Sequence, residues 1–199
     1  GDSPELHMED TQAAGADLCD AGAVRILTSE APDCIADLIR MGASFDTIQG
    51  EIALAKEGAH SVPRILHAGG DATGQHIEMT LAGLARMSRV RVLEHCLATD
   101  ILVEEGQAIG VRTLDTRVGS RQDFFGDNII IATGGAGRLF KYTTNPEVAT
   151  GDGVALAYQA GAQIADMEFY QFHPTALRLP GAPPFLISED AHPDPAVAF

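Results

Sequence analysis

Basic side chains are scarce. The 199 residues hold 13 lysines and arginines against 28 aspartates and glutamates, a formal net charge of −15. That balance excludes a nucleic-acid partner, because a phosphate backbone requires a basic surface. It also excludes attraction to an anionic membrane face. The deficit is uneven: residues 1–60 carry 12 acidic and 3 basic side chains, which reads as a solvated acidic face. Cysteine is equally scarce. Cys19, Cys34 and Cys96 are far apart and form no C-x-x-C pair. Disulfide scaffolds and zinc sites are excluded, and the pattern fits reduced thiols in a cytoplasmic compartment. No apolar run is long enough to span a bilayer. Repeats and low-complexity segments are absent, and neither the histidines nor the methionines are spaced as metal ligands. The opening GDSPELHMED has no signal-peptide pattern, and the chain reads as one entered partway through.

What is present suits a packed α/β domain. Hydrophobic residues make up 45% of the chain, enough for a core. Residues 20–42 read as two short helices. Val24, Ile26 and Leu27 give the first its apolar side; Pro32 opens the second, and Gly42 caps it. Residues 44–54 read as two extended pieces around a turn at Gln49-Gly50, and Ile65–His67 as another. Thr73 is placed to cap a helix whose stripe is Ile77, Leu81, Leu84 and Ala85. Four short strands follow: Val90–Glu94, Leu97–Val103, Ala108–Leu114 and Arg121–Phe125, with turns at Glu105-Gly106 and Gly119-Ser120. Asn128–Thr133 is an unbroken apolar run, the signature of a strand buried on both faces in a parallel sheet. Asp152 N-caps a compact helix that ends at Gly161. From Asp166 the texture becomes aromatic and proline-rich, which marks a domain boundary.

Four short stretches carry chemistry, and each has two readings. Thr133-Gly134-Gly135 follows the apolar run, where glycines permit positive φ and close approach of a ligand to the backbone. A structural turn at a sheet edge gives the same letters. The spacing after Gly135 and Gly137 puts Phe140 where G-x-G-x-x-G requires glycine. Asp152, between Gly151 and Gly153, either caps its own helix or takes a ligand hydroxyl at the helix start. Glu57, in EGAHS, is either a solvated loop charge or an acceptor for a substrate ammonium; the nearby His60 and Ser61 do not make a triad, which is assembled from distant positions. His173 precedes a proline that holds it extended, and is either a satisfied core histidine or a donor to a carboxylate.

Taken in order, EGAHSVPRILHAGGDATG, IIIATGGAGRLFKYTTNPEVATGDGVALAYQAGA and DMEFYQFHPTAL resemble the L-aspartate oxidase family, within the succinate dehydrogenase and fumarate reductase flavoprotein group. The resemblance runs from Asp2 to Glu189. It implies FAD as cofactor, with Thr133, Gly134, Gly135 and Asp152 near its ADP part and Leu97 and Ala98 by its adenine. It implies that Glu57 orients the substrate amino group, that His173 binds a substrate carboxylate, and that Ser188 and Glu189 belong to the substrate pocket. The implied reaction oxidises L-aspartate to iminoaspartate, with oxygen or fumarate as electron acceptor. It opens quinolinate and NAD biosynthesis, with quinolinate synthase next in line.

The implied fold is an incomplete three-layer ββα FAD-binding domain over residues 1–165, with a parallel sheet, a β-meander and helices. The first segment of an α+β capping domain follows over 166–199. The family's G-x-G-x-x-G turn and its catalytic arginine are expected outside the chain. Ala59 stands where the family usually has glycine, and EDAHPDPAVAF departs from its pattern. The alternatives are a succinate dehydrogenase or fumarate reductase flavoprotein, and a truncated fragment without catalytic activity.

Overall fold

A computed structural model describes residues 1–172, Ala176–Leu177, Leu179 and Phe185–Leu186. The fold is mixed α/β, and the chain divides into two compact units, one built on Gly1–Val92 and one on Leu93–Ile187. Every strand ladder among the described residues is antiparallel. No helix among them is long and apolar enough to cross a membrane.

The first unit opens with α1 (Pro4–Ala14), which sequence reasoning missed. Its signal is compact: Ser3 caps, its Oγ accepting the Leu6 N–H at 3.2 Å; Pro4 opens the first turn, and Glu5 faces the positive end of the helix dipole. It packs against α2 (Ala21–Arg40), a single helix where two were expected. Pro32 lies inside it. A proline there removes the bond to the Thr28 carbonyl and costs about 3 kcal/mol. The helix continues because Val24 and Thr28, which are buried, and Ala31, Ile35 and Leu38, which are half-buried, keep one helical phase across the proline, itself exposed. Gly42, at φ +100°, ends it as expected: Gly42 N–H donates to the Ile39 carbonyl and Ala43 N–H to that of Leu38.

Strands β1 (Thr47–Ile48) and β2 (Glu51–Ile52) form the expected hairpin. Gln49 and Gly50 both have positive φ, as a tight primed turn requires. Strands β3 (Leu54–Ala55) and β4 (Ile65–Leu66) pair next, holding between them the EGAHS loop. Helix α3 (Thr73–Met87) follows, but Thr73 is not its cap. Its hydroxyl accepts the Ala68 N–H at 3.0 Å, so it ties the preceding loop to the helix instead. A cavity of about 480 Å³ in this unit is walled by Thr28, Ile35, Phe45, Ile77 and Arg64.

The second unit contains the meander β5 (Cys96–Glu104), β6 (Gln107–Asp115) and β7 (Arg121–Phe125), in that order in the sheet. Glu105 and Gly106, both at positive φ, turn the first hairpin. Opposite each other on β6 and β7, Arg112 and Asp123 form two parallel hydrogen bonds of 2.8 Å that fix the register. Two expected strands are absent. Val90–Glu94 forms no strand ladder among the described residues and leaves Val90 and Val92 exposed. Asn128–Thr133 has no ladder either, and Ile130 is 89% exposed. An apolar run becomes a buried strand only beside a hydrogen-bonding neighbour, and no described strand lies next to this one. Helix α4 (Asp152–Gln159) packs on β5 and closes with Gly161 at φ +93°. A final pair, β8 (Ala176–Leu177) and β9 (Phe185–Leu186), is antiparallel.

Candidate functional site

Two glycine stretches separated by about fifteen residues meet in the second unit. Gly134, at φ +72°, turns the chain at the end of the apolar run. Residues 136–150 loop out and return, held by Arg138 N–H donating to the Ala149 carbonyl at 2.9 Å. Gly151, at φ +78°, then caps α4, and its N–H donates to the Gly135 carbonyl at 3.1 Å. The start of α4 therefore abuts the TGGAG turn.

The fit is close. A Cβ on buried Gly153 would lie 1.9 Å from Thr133 Oγ1 and 2.8 Å from Ile131 Cγ2. A Cβ on Gly151 would lie 2.9 Å from that of Ala136, and one on Gly137 would lie 2.4 Å from the Asn145 side chain. Gly134 and Gly135 differ: a Cβ on either would meet nothing within 4 Å. The glycines at 137, 151 and 153 are needed for packing. Those at 134 and 135 leave backbone open to an approaching group.

Asp152 corrects the sequence expectation. Gly151 is the N-cap, and Asp152 is the first residue inside α4. Its exposed carboxylate is not used to cap α4. It sits at the positive end of the helix, beside the open glycines, free to accept a hydroxyl from outside. Thr133 is less available, because its hydroxyl faces Gly153. Leu97 and Ala98 lie on β5, the strand that α4 packs on. The open glycine backbone, the helix start and the uncapped acid suit the ADP portion of a dinucleotide.

The second cluster surrounds Glu57 in the first unit. Residues 57–60 form a turn in which His60 N–H donates to the Glu57 carbonyl at 3.3 Å. Ala59 sits in it at φ +66°, a conformation that favours glycine. Ala59→Gly is expected to stabilise the protein by about 0.5–1 kcal/mol, less strain minus the entropy of glycine, seen as a higher urea midpoint.

Beyond the turn, two residues bind the loop to α1. Ser61 donates its N–H and its hydroxyl to Asp10 Oδ2, at 2.8 and 2.9 Å. Arg64, only 6% exposed, donates through Nη1 to Asp10 at 2.6 Å. Its Nε and Nη2 reach Asp2 at 2.7–3.1 Å. Arg64 Nη1 also lies 2.9 Å from His60 Nδ1. A guanidinium only donates, so Nδ1 accepts and the imidazole proton sits on Nε2. Glu57 stands outside this clasp, its Oε1 3.4 Å from His67 Nε2. Sequence reading missed the clasp, because its partners are 51 to 62 positions apart.

The Ser61 N–H and the Arg64 guanidinium lower the pKa of Asp10 to about 2, against 3.8 for an ordinary aspartate. A depressed carboxylate contributes stability that is complete above the unfolded pKa and lost as pH falls toward the folded one. The melting temperature is therefore expected to drop between pH 3.8 and about 2. Thermal melts of Asp10→Asn across that window are expected to show a shallower slope.

Phe140, just after the glycine turn, packs against Tyr170 at 4.6 Å and Phe172 at 4.9 Å between ring centroids. The edge-on contact with Phe172 fixes the chain up to the residue before His173. His173, Ser188 and Glu189 lie outside the described residues. Among the described residues, no group of histidine, cysteine and acidic side chains is placed to hold a metal ion.

Comparison with known proteins points to a flavin-binding family. A family described as FAD binding domain matches residues 1–195. L-aspartate oxidase of Synechocystis is 47% identical over 191 residues, covering 94% of this chain and 34% of that protein. L-aspartate oxidase of Streptomyces coelicolor is 49% identical over 185 residues, covering 90% and 32%. Among solved structures, a quinol fumarate reductase of E. coli superposes with a TM-score of 0.85 at 31% identity, covering 88% of this chain and 30% of that one. The chain spans about a third of the length of the curated relatives it matches.

Proposed function

Because this chain belongs to the FAD binding domain family, we propose that it carries the FAD site and part of the substrate site of an L-aspartate oxidase. The reaction is oxidation of L-aspartate to iminoaspartate, with oxygen or fumarate as electron acceptor. One observation supports the FAD half above the others. The Gly151–Gly135 hydrogen bond brings the open glycines and the uncapped Asp152 together, although the sequence lacks the G-x-G-x-x-G spacing. Gly134 and Gly135 would receive the ADP part along their backbone, with Thr133 behind them. Asp152 would accept a hydroxyl, and Leu97 and Ala98 would border the adenine.

When bound, FAD supplies the two-electron acceptor for oxidation at the α-carbon. The chain's own residues bind and orient. Glu57 takes the ammonium of L-aspartate, and its half-exposed carboxylate is free of the Asp10–Arg64 clasp. His173 takes a carboxylate, and Ser188 and Glu189 complete the pocket. Residues 1–165 then serve FAD, and residues 166–199 begin the part that closes over substrate. In the cytoplasm the product passes toward quinolinate and NAD, with quinolinate synthase as the next enzyme.

The second reading is a succinate dehydrogenase or fumarate reductase flavoprotein, favoured by the structural likeness to fumarate reductase. Glu57 counts against it, since succinate offers no ammonium to a carboxylate. Turnover separates them. The full-length, FAD-loaded protein is expected to oxidise L-aspartate and to leave succinate untouched. Oxidation of succinate without any of L-aspartate would reverse the order.

A further inference from the structure

Glu57 is only as well placed as its loop, and the loop does not hold itself. Its single internal backbone bond, from His60 to Glu57, is long at 3.3 Å, and Ala59 is in a conformation that resists it. What fixes it is one carboxylate oxygen on another element. Asp10 Oδ2 accepts the Ser61 N–H, the Ser61 hydroxyl and Arg64 Nη1, all within 2.9 Å. Arg64 in turn donates its N–H to the Ala55 carbonyl at 3.0 Å, which joins the far end of the loop to β3. Asp10 is fixed on α1, and its side chain is 15% exposed. Three donors on one oxygen, from both the middle and the end of the loop, make Asp10 the point from which its position is set.

We propose that Asp10 is a positioning residue for the substrate amino group: through Ser61 and Arg64 it places the loop that presents Glu57, without touching substrate itself. The inference rests on the reading of Glu57 given above. It makes the preference for an amino dicarboxylate over an otherwise similar dicarboxylate depend on a residue of α1. A purely structural role would weaken every ligand together. A positioning role weakens only the ligand that carries an ammonium.

The KM for L-aspartate and the constant for competitive inhibition by succinate, measured on full-length FAD-loaded protein, distinguish the two, using Asp10→Ala, Asp10→Asn and Glu57→Gln. Misplacing a binding group by a fraction of an ångström is costly, so Asp10→Ala is expected to weaken L-aspartate about tenfold and succinate less than about twofold. Asp10→Asn keeps an oxygen for the Ser61 N–H and is expected to fall between, which preserves the test if the alanine variant does not fold. Equal weakening of both ligands, or of neither, would overturn the inference. If Glu57→Gln removes the preference for L-aspartate while both Asp10 variants keep it, the positioning role alone is wrong. If Glu57→Gln leaves the preference intact, the assignment of Glu57 fails first. Wild-type protein that binds neither ligand would count against both.

Discussion

Replacing Gly153 by alanine is expected to lower the melting temperature by roughly 5–10 °C and to weaken FAD binding at least about tenfold. The added Cβ would arrive 1.9 Å from Thr133 Oγ1 and 2.8 Å from Ile131 Cγ2. Neither neighbour is the loose end of a long side chain. Threonine and isoleucine are branched at Cβ and turn poorly, so relief requires the backbone of the apolar run to retreat from α4. That retreat strains the Gly151–Gly135 bond, on which the alignment of Asp152 with the open glycines depends. Overpacking of this kind costs about 1–3 kcal/mol. Differential scanning calorimetry and flavin titration measure the two effects. Thr133→Ala removes the hydroxyl at the nearest contact, so the double variant is expected to recover part of the lost stability. That non-additivity is diagnostic of direct contact between the two residues.

The second large effect concerns Arg64. Arg64→Met keeps the volume of the stem but leaves Asp2 and Asp10 facing each other with no cation between them. The guanidinium makes charge-assisted bonds to both, and its side chain is nearly buried. Removing the cation leaves two neighbouring carboxylates unneutralised, Asp2 at 35% and Asp10 at 15% exposure, so water offsets only part of the lost interaction. The expected effect is a lower urea midpoint. Neutralising Asp2 and Asp10 in the Arg64→Met background is expected to recover part of the drop. Hydrogen exchange at the Ser61 amide reads the same clasp locally, and faster exchange is expected in the Arg64 variant.

These two sites were legible in the sequence to different degrees. Both glycine stretches, Glu57 and the meander strands announce themselves locally, through glycine, turn residues and alternating apolar positions. The hairpin turns at Gln49-Gly50 and Glu105-Gly106 stand where their residues indicated. Local letters failed where a neighbour decides the outcome. Pro32 marks a helix start in isolation, yet one helical phase runs straight past it. Asn128–Thr133 has the composition of a strand, but a strand is a property of two segments, and no pairing segment lies among the described residues. Thr73 and Asp152 each stand at the first helical position, one residue past the cap. The hydroxyl of Thr73 was taken up by Ala68, and Gly151 had already turned the chain. The clasp of Asp2, Asp10, Ser61 and Arg64 gave no local sign at all, because nothing in an isolated arginine says which distant carboxylates it will meet.

The TGGAG turn and the start of α4 together form the proposed flavin-nucleotide cradle. Titration of purified protein with FAD, followed by flavin fluorescence, tests it directly. Saturable binding is expected, weakened at least about tenfold by Gly153→Ala and by Asp152→Ala, since each removes part of the packing or polar complement of one site. Binding that is absent in the wild-type protein, or that is unchanged in both variants, would contradict it.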